Sequence, residues 1–239
     1  MCGRFALTAP ASRIAEVFGV DVSFDLLPRT NIAPSQEVLS LLGTGDARSL
    51  AMLRWGLIPS WAKDRKIGYR TLNARSETVA SKPAFRSAFK RSRCAVLADG
   101  FYEWKRLSKT DKRPHLFRLS SGDPFGMAGL WAKWTDPETG EEVRSASILT
   151  TSGNALMKPI HDRMPVILGP RQLDLWLADD TSPAELQALL RPYDAAQMTV
   201  REVSKYVNNA RHEGPMCQEP PGLEQERRAT PKSEDTQEV

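Results

Sequence analysis

The second residue of this 239-residue chain is a cysteine, and that position gives Cys2 a chemistry that an internal cysteine lacks. Methionine at position 1 is normally removed when the next side chain is small, and removal of Met1 would expose a 1,2-aminothiol. Its amine (pKa about 7.7–8.0) and its thiol (about 8.5) would both be nucleophilic near neutrality. The amine could condense with an aldehyde to an imine, and the thiolate could then close a thiazolidine ring.

Two other interpretations of Cys2 stand beside this one. The thiol could attack an amide with the α-amine as base, in the manner of N-terminal nucleophile hydrolases. Alternatively, Cys2 is an inert residue at a frayed terminus. While Met1 is attached the amine is masked, so neither reaction that needs the free amine is open.

Three further residues could handle protons or hydrogen bonds. Glu103 lies in the aromatic run Asp99-Gly100-Phe101-Tyr102-Glu103-Trp104, where a strand would point it away from Tyr102 and Trp104. If that face is buried, desolvation raises the carboxyl pKa and suits it to proton transfer; otherwise Glu103 faces solvent. His161 lies between apolar segments in a loop, as a catalytic or a surface imidazole. Asn73 fits a turn or a helix cap as well as a site.

The composition narrows the class of protein. Hydrophobic residues make up 41% and charged residues 26% of the chain, which is typical of one large globular domain or two small ones. No apolar run of about 18 residues and no signal peptide occur, so we expect neither membrane insertion nor secretion. Three cysteines and three histidines without metal-ligand spacing predict no disulfide framework, no metal and no other cofactor, in a reduced cytoplasm.

The charge is unevenly distributed. The net charge is only +4, but residues 54–118 contain 17 Lys/Arg and 5 Asp/Glu, a net +12, interleaved with nine aromatic residues. A groove that follows phosphates and stacks bases has this composition, and so does a solvated basic face beside a core. Residues 219–239 contain 6 acidic and 3 basic residues and two large apolar ones, which predicts a disordered acidic tail.

Periodicity and turn signals predict the elements that position these residues. We expect a helix capped by Thr8 that runs to Phe18, a second from Lys82 to Arg91 capped by Ser81, and two more that begin at Pro170 and Ser182. Strands are predicted at Glu37–Leu42, Ser49–Trp55, Cys94–Ala98, Phe101–Lys105, His115–Leu119, Gly126–Trp134, Val143–Thr151, Pro165–Leu168 and Met198–Val203.

Short strands with irregularly inserted helices favour an α+β fold. We predict a single compact domain over residues 1–218, with an antiparallel-rich, barrel-like β core flanked by several short helices.

Seven short blocks occur in order along the chain. The blocks are Cys2-Gly3-Arg4-Phe5, Asn31-Ile32-Ala33-Pro34, Trp55-Gly56-Leu57-Ile58-Pro59-Ser60-Trp61, Asn73-Ala74-Arg75-Ser76-Glu77-Thr78, Asp99-Gly100-Phe101-Tyr102-Glu103-Trp104, His161-Asp162-Arg163-Met164-Pro165 and Val207-Asn208-Asn209. Together they resemble the SRAP family, the SOS response-associated peptidases, and the resemblance extends from residue 2 to about residue 220.

This resemblance implies a sensor of abasic sites in single-stranded DNA that forms a covalent thiazolidine between its N-terminal cysteine and the ring-opened deoxyribose. The family's catalytic positions correspond to Cys2, Asn73, Glu103 and His161. Within this scheme Glu103 moves protons, His161 serves the sugar ring oxygen and the reversal, and Asn73 fixes geometry.

The DNA-binding residues are expected next to these positions. Arg4, Arg75 and Arg163 are neighbours of the catalytic residues in sequence and are predicted to contact phosphates. Pro34 and Trp61 are predicted to wedge or stack a neighbouring base. Family members often have a second aromatic residue after the position of Trp61, where this chain has Ala62.

The remaining expectations concern activity and partners. The resemblance implies peptidase (hydrolase) and abasic-site lyase activities beside covalent capture; a cysteine-type peptidase that acts through Cys2, on its own terminus or on other chains, and a non-covalent reader of modified-base DNA are the alternatives. We expect a monomer whose partners are abasic single-stranded DNA and proteins of the replication fork. It would act in the cytoplasm, associated with the nucleoid if the source is bacterial.

Overall fold

The computed structural model describes residues 2–222, except the side chain of Asp46. Four α-helices lie at α1 (Ala11–Phe18), α2 (Arg86–Arg91), α3 (Pro170–Leu177) and α4 (Pro183–Leu189). The strands are β1 (Phe5–Leu7), β2 (Arg29–Ile32), β3 (Glu37–Leu42), β4 (Ser49–Trp55), β5 (Asn73–Arg75), β6 (Arg93–Ala98), β7 (Gly100–Arg106), β8 (Lys112–Leu119), β9 (Phe125–Thr135), β10 (Glu142–Ser152), β11 (Arg163–Pro165), β12 (Ile167–Leu168) and β13 (Met198–Glu202).

Five strands close into a barrel in the order β4, β3, β6, β9 and β10. Four of the five pairings are antiparallel, and the barrel closes through a parallel pairing of β10 with β4, where Ser145 lies opposite Arg54. Every residue of β6 is buried, because β6 lies between β3 and β9 with α3 packed over it. The predicted α+β fold with a barrel-like, antiparallel-rich core is confirmed.

A second sheet has the strand order β13, β8, β7, β1 and β2. Its strand β1 pairs antiparallel with β7, with Phe5 opposite Phe101. The Phe5 ring packs against Trp55 of the barrel at 5.1 Å between ring centroids, and Phe101 stacks on Phe117 at 5.0 Å. Aromatic packing therefore holds the N-terminal strand of the second sheet against the barrel.

The helix ends show where local signals misled the prediction. Helix α1 ends at Gly19 in the left-handed conformation, as expected, but it begins after Pro10 and Thr8 does not cap it. The Thr8 hydroxyl and amide instead donate to the carboxylate of Asp99. Helix α2 begins at Arg86, not Lys82, and the Ser81 hydroxyl donates to the Thr78 carbonyl, so Ser81 is not its cap. In both places a competing hydrogen bond takes the predicted cap residue.

Most predicted strands are present with bounds shifted by at most three residues, and β3 and β4 have the predicted bounds. The single strand predicted at Pro165–Leu168 is divided between β11 and β12, and three short strands were missed: β1, β2 and β5. Each has only three or four residues, and each is formed by pairing with strands far away in sequence. A window too short for periodicity gives no local signal of this kind.

The predicted boundary at residue 219 remains a prediction. The carbonyl of Glu219 accepts a hydrogen bond from the Ser204 amide at 2.8 Å. Most of the predicted acidic tail, residues 223–239, lies outside the described residues. Within residues 2–222 no helix is both long and apolar enough to cross a membrane.

Candidate functional site

Cys2 and Glu103 come together through the pairing of β1 with β7. Phe5 lies opposite Phe101 and the Tyr102 amide donates to the Arg4 carbonyl at 2.9 Å. Continuing this antiparallel register toward the terminus places Gly3 opposite Glu103, one residue from Cys2. The position of a residue at the very start of the chain is thus fixed by β7.

Both groups of this pair are buried, and burial changes their acidity. Cys2 is fully buried, and burial, together with the nearby charge of Glu103, raises the pKa of its thiol to about 12. Glu103 is only 4% exposed, and burial raises the pKa of its carboxyl, an effect that the charge of His161 partly opposes. A buried carboxyl with a raised pKa is a candidate for proton transfer in catalysis.

Asn73 connects the second sheet to the barrel. It begins β5, which pairs in parallel with β10 so that Asn73 lies opposite Ile148. Its side-chain amide nitrogen donates to the Cys2 carbonyl at 2.8 Å. Its buried Oδ1 has no hydrogen-bond partner among the described residues, which leaves an acceptor in the site for a donor brought by a substrate.

His161 lies in the connection between β10 and β11. Its main-chain amide donates to the Met157 carbonyl, and its side chain is 28% exposed. The ring Nδ1 accepts from the Arg163 amide at 2.9 Å and lies 2.9 Å from Asp162 Oδ1. The ring Nδ1 therefore lies between a backbone N–H donor and a carboxylate acceptor.

Arg4 points into the protein. Its guanidinium donates to Asn31 Oδ1 at 2.7 Å and to the Val207 carbonyl at 2.8 Å, and it lies 5.7 Å from the Trp104 ring centroid. The Asn31 amide nitrogen in turn donates to the carbonyls of Asn209 and His212. This network ties the residues after Cys2 to the C-terminal segment.

The other two arginines that are predicted to contact phosphates differ in whether protein groups already bind their guanidinium. Arg163 makes a two-pronged ion pair with Glu77 and also donates to the Thr150 carbonyl. The hydrogen bond from Arg163 to Glu77 lowers the pKa of the Glu77 carboxyl. Arg75 is exposed and lies opposite Thr150 in the pairing of β5 with β10. It has no ion pair with any residue in 2–222. Of the three arginines, Arg75 is the one whose guanidinium is available to a ligand.

Pro34 and Trp61 lie on two different turns. Pro34 is half-buried in a turn whose next residue, Ser35, has a φ of 69°, and the Gln36 amide closes the turn onto the Ala33 carbonyl. This is a type II turn with proline at its favoured position. Trp61 is 58% exposed and lines a groove of about 730 Å³ that none of the four catalytic candidates lines.

Two residues that organise the site, Asn31 and Glu77, have no role that the sequence predicts beyond membership of the family blocks. The buried contacts of Asn31 are with residues more than 170 positions away. The partner of Glu77, Arg163, is 86 residues away. No local signal shows such pairs; only the fold brings them together.

The assembled corner contains a buried cysteine, a buried carboxyl, an amide and an imidazole, drawn from both sheets. These groups suit nucleophilic and acid–base chemistry. Among the described residues no cluster of three His, Cys, Asp or Glu side chains has an arrangement that could hold a metal ion.

Comparison with known proteins gives a consistent result. The sequence profile of the SOS response associated peptidase (SRAP) family matches residues 1–210. The chain is 46% identical over 219 residues to the abasic site processing protein YoqW of Bacillus subtilis (strain 168), which covers 90% of this chain and 97% of that protein.

A more distant relative has the same name, and a solved structure has the same fold. The chain is 37% identical over 192 residues to the abasic site processing protein HMCES of Xenopus tropicalis, covering 71% of this chain and 57% of that longer protein. A crystal structure of a protein from Bacteroides thetaiotaomicron has a TM-score of 0.83 at 28% identity and covers 91% of this chain and 99% of the other.

Proposed function

Because the chain belongs to the SOS response-associated peptidase family, we propose that it processes abasic sites by capturing them covalently through Cys2 after Met1 has been removed. The observation that carries this proposal is the juxtaposition of Cys2 with Glu103 and Asn73. The substrate is the aldehyde form of an abasic deoxyribose in single-stranded DNA.

The capture proceeds in two bond-forming steps. The neutral α-amine of Cys2 adds to C1′ of the open sugar, and the resulting carbinolamine loses water to give a Schiff base. The sulfur then adds to the same carbon as its proton moves to the imine nitrogen, which closes a five-membered thiazolidine. The balance is one aldehyde and one aminothiol in, one thiazolidine and one water out.

The neighbouring residues supply protons and orientation. Glu103 protonates the departing hydroxyl of the carbinolamine, and the resulting carboxylate then transfers the thiol proton to the imine nitrogen during ring closure. Asn73 holds the Cys2 carbonyl with its nitrogen and offers its free oxygen to the amine or to a sugar hydroxyl. His161 serves the sugar ring oxygen when the hemiacetal opens and when the link is reversed.

The raised thiol pKa favours an order of events in which the amine reacts first. Because burial raises the pKa of the Cys2 thiol, the thiol is a poorer initial nucleophile than the amine. Once the Schiff base has formed, the Cys2 thiol is tethered close to C1′, the imine carbon to which it adds. This order also explains why a neighbouring base is needed for the second step.

The test is a denaturing gel of processed protein mixed with an abasic single-stranded oligonucleotide. We expect a heat-resistant shifted band with the wild type, none with Cys2→Ala, and none with protein that retains Met1. Cys94→Ala is the matched control, because Cys94 is also fully buried but lies in the barrel, and it should retain the band. Absence of the band in fully processed wild-type protein contradicts the proposal.

The same chemistry extends to the peptidase and lyase activities. A peptidase acting through Cys2 would remove Met1 itself, so intact mass after production in cells lacking methionine aminopeptidase distinguishes self-processing from processing by another enzyme. A Schiff base that is not closed by sulfur can eliminate the 3′ phosphate. We therefore expect Cys2→Ser, which retains the amine but not the thiol, to give more strand cleavage than the wild type.

We also propose an oligomeric state, a location and partners for this activity. The chain would act as a monomer in the cytoplasm, associated with the nucleoid in a bacterial cell, and would meet proteins of the replication fork there. If Cys2→Ala binds DNA as well as the wild type and shows no preference for abasic strands, a non-covalent reader of modified bases is the better description.

A further inference from the structure

Residues 203–218 (the strap) cross the face of the second sheet that points away from the barrel. The strap contains two short 3₁₀-helices, Lys205–Asn208 and Pro215–Cys217. It buries a small apolar cluster against that face, apart from the main core. The buried members of this cluster are Ala6, Tyr102, Leu116, Val203, Val207 and Cys217. Because Ala6 lies on β1, the strap packs directly on the strand that follows Cys2.

Asn31 joins the strap to β1. It is fully buried in β2 and uses both ends of its side-chain amide. Its Oδ1 accepts from the Arg4 guanidinium at 2.7 Å. Its Nδ2 donates to two strap carbonyls, Asn209 at 2.9 Å and His212 at 2.8 Å. Loss of the Asn31 amide would leave buried polar groups on both sides without a partner, so the amide holds the two segments together.

Arg4 is held through its side chain and through its backbone. Its guanidinium also donates to the Val207 carbonyl at 2.8 Å and lies 5.7 Å from the Trp104 ring centroid. The Trp104 ring is itself fixed, since its Nε1 donates to Asn208 Oδ1 at 2.7 Å. The Arg4 carbonyl accepts from the Tyr102 amide at 2.9 Å. The chain is therefore immobilised two residues from the amine of Cys2.

A second contact fixes the strap to β2 beside Asn31. The carboxylate of Glu213 accepts from the amide and the hydroxyl of Thr30 at 2.8 Å, and from Arg29 Nε at 3.0 Å. The Gly214 amide donates to the Thr30 hydroxyl at 2.8 Å. Three consecutive residues of β2, 29–31, thus bind the strap, and Glu213 does so from an exposed position.

We propose that Asn31 is a positioning residue for the capture reaction, which acts through Arg4 and the strap to hold the α-amine of Cys2 beside Glu103. The amine must meet C1′ in a defined geometry, and a displacement of about 1 Å can slow such a step about 100-fold. This inference rests on the proposed function, because it takes the Cys2 amine to be the group that reacts.

Single-turnover capture separates positioning from DNA binding. Asn31→Ala should lower the capture rate at saturating abasic single strand by about tenfold or more, while the DNA concentration that gives half the maximal rate stays the same. Lys205→Ala is the matched control, because Lys205 lies on the same strap but pairs with Asp111, between β7 and β8, at 2.9 Å. Its rate should equal that of the wild type. An unchanged rate for Asn31→Ala, or a loss of affinity alone, overturns the inference.

Thiol alkylation reports the hold on the terminus without DNA. Cys2 and Cys94 are both fully buried in the wild type, and mass spectrometry after treatment with iodoacetamide distinguishes them. Asn31→Ala should speed alkylation of Cys2 by about tenfold, since thiol reactivity follows exposure, and should leave Cys94 unchanged. Unchanged alkylation of Cys2 contradicts the proposal. Equal acceleration of both thiols assigns Asn31 a purely structural role and contradicts it as well.

Glu213→Ala decides the question if Asn31→Ala does not fold. It removes the contacts to Thr30 and Arg29 from an exposed position, so the buried network remains. We expect the same two effects at smaller size: slower capture at saturating DNA and faster alkylation of Cys2. If folded Glu213→Ala shows neither effect, the strap does not position the terminus.

The outcomes distinguish this inference from the proposed function. If processed wild type forms no covalent link with abasic DNA but Asn31→Ala selectively exposes Cys2 to alkylation, the proposed capture is wrong and the hold of Asn31 on the terminus stands. If the wild type captures DNA and Asn31→Ala does so at the same saturated rate, the positioning role is wrong and the capture stands.

Discussion

The corner around Cys2 is buried, whereas the groove at residues 61–70 is exposed to solvent. In the corner, Cys2 is fully buried and Glu103 is 4% exposed, and burial raises the pKa of both groups. In the groove, Trp61 and Tyr69 are more than half exposed and the three cations that line it face solvent. Chemistry on a sugar needs desolvated groups with altered acidity, whereas capture of a passing strand needs accessible rings and charges.

The two regions also differ in how they are built. The corner is assembled from β1, β7, β5 and the loop before β11, which come from distant parts of the chain. The groove comes from one continuous stretch of about ten residues. Substitutions in the corner should therefore affect the rate of capture, and substitutions near the groove should affect the encounter with DNA.

The largest effect after loss of Cys2 itself is expected from Glu103→Gln. The amide keeps the shape of the side chain but cannot transfer a proton, so capture should slow by about 100-fold, the lower end for a general acid or base. The check is the rate at which the shifted band appears under excess protein. A rate within a factor of two of the wild type would show that Glu103 only fills space.

The stability of the same variant provides its control. Because the pKa of Glu103 is raised in the folded protein, its contribution to stability is fully present below the unfolded pKa of about 4.3 and is lost as pH rises through the raised value. Glu103→Gln should therefore unfold at a higher temperature than the wild type at pH 7.5, and this difference should shrink toward pH 4. Slow capture with higher stability excludes misfolding as the cause.

A smaller effect is expected from Asn73→Ala, which removes the 2.8 Å hydrogen bond to the Cys2 carbonyl. Loss of one orienting bond of about 1.4 kcal/mol corresponds to roughly tenfold slower capture. Single-turnover rates at saturating DNA measure it. If instead only the affinity falls and the saturated rate is unchanged, Asn73 acts in DNA binding and the contrast between the two regions does not hold for this residue.

The smallest effect is expected from Arg75→Ala. A single phosphate contact should change the affinity severalfold and make the slope of log affinity against log salt about 0.7 shallower. Titration of undamaged single strand at several salt concentrations measures this. Arg171→Ala is the matched control, because Arg171 is also exposed but lies on α3, and its slope should equal that of the wild type.

Arg163→Ala should affect stability more than DNA binding, the reverse of Arg75→Ala. Arg163 is held by Glu77 and Thr150, so its removal should lower stability and leave the salt slope closer to that of the wild type than Arg75→Ala does. Thermal unfolding beside the salt titration separates the two arginines. A full loss of one phosphate contact would show that DNA displaces Glu77.

Several features followed from residue order alone. The strands at residues 37–42 and 49–55 were predicted with their observed bounds, because alternation and a glycine turn act locally. Burial of Glu103 was one of two interpretations, and it holds because β7 lies between β8 and β1. The chemistry available to Cys2 depends only on its position next to Met1.

Tertiary structure decided the rest. β1, β2 and β5 are too short to be recognised locally, yet they carry Asn31 and Asn73 and place Cys2 beside Glu103. Whether Arg4, Arg75 and Arg163 face a ligand or the protein depends on partners as far as 203 residues away. Sequence fixes which chemical groups are present, but their acidity and availability depend on burial and long-range hydrogen bonds, which exist only once the two sheets have packed together.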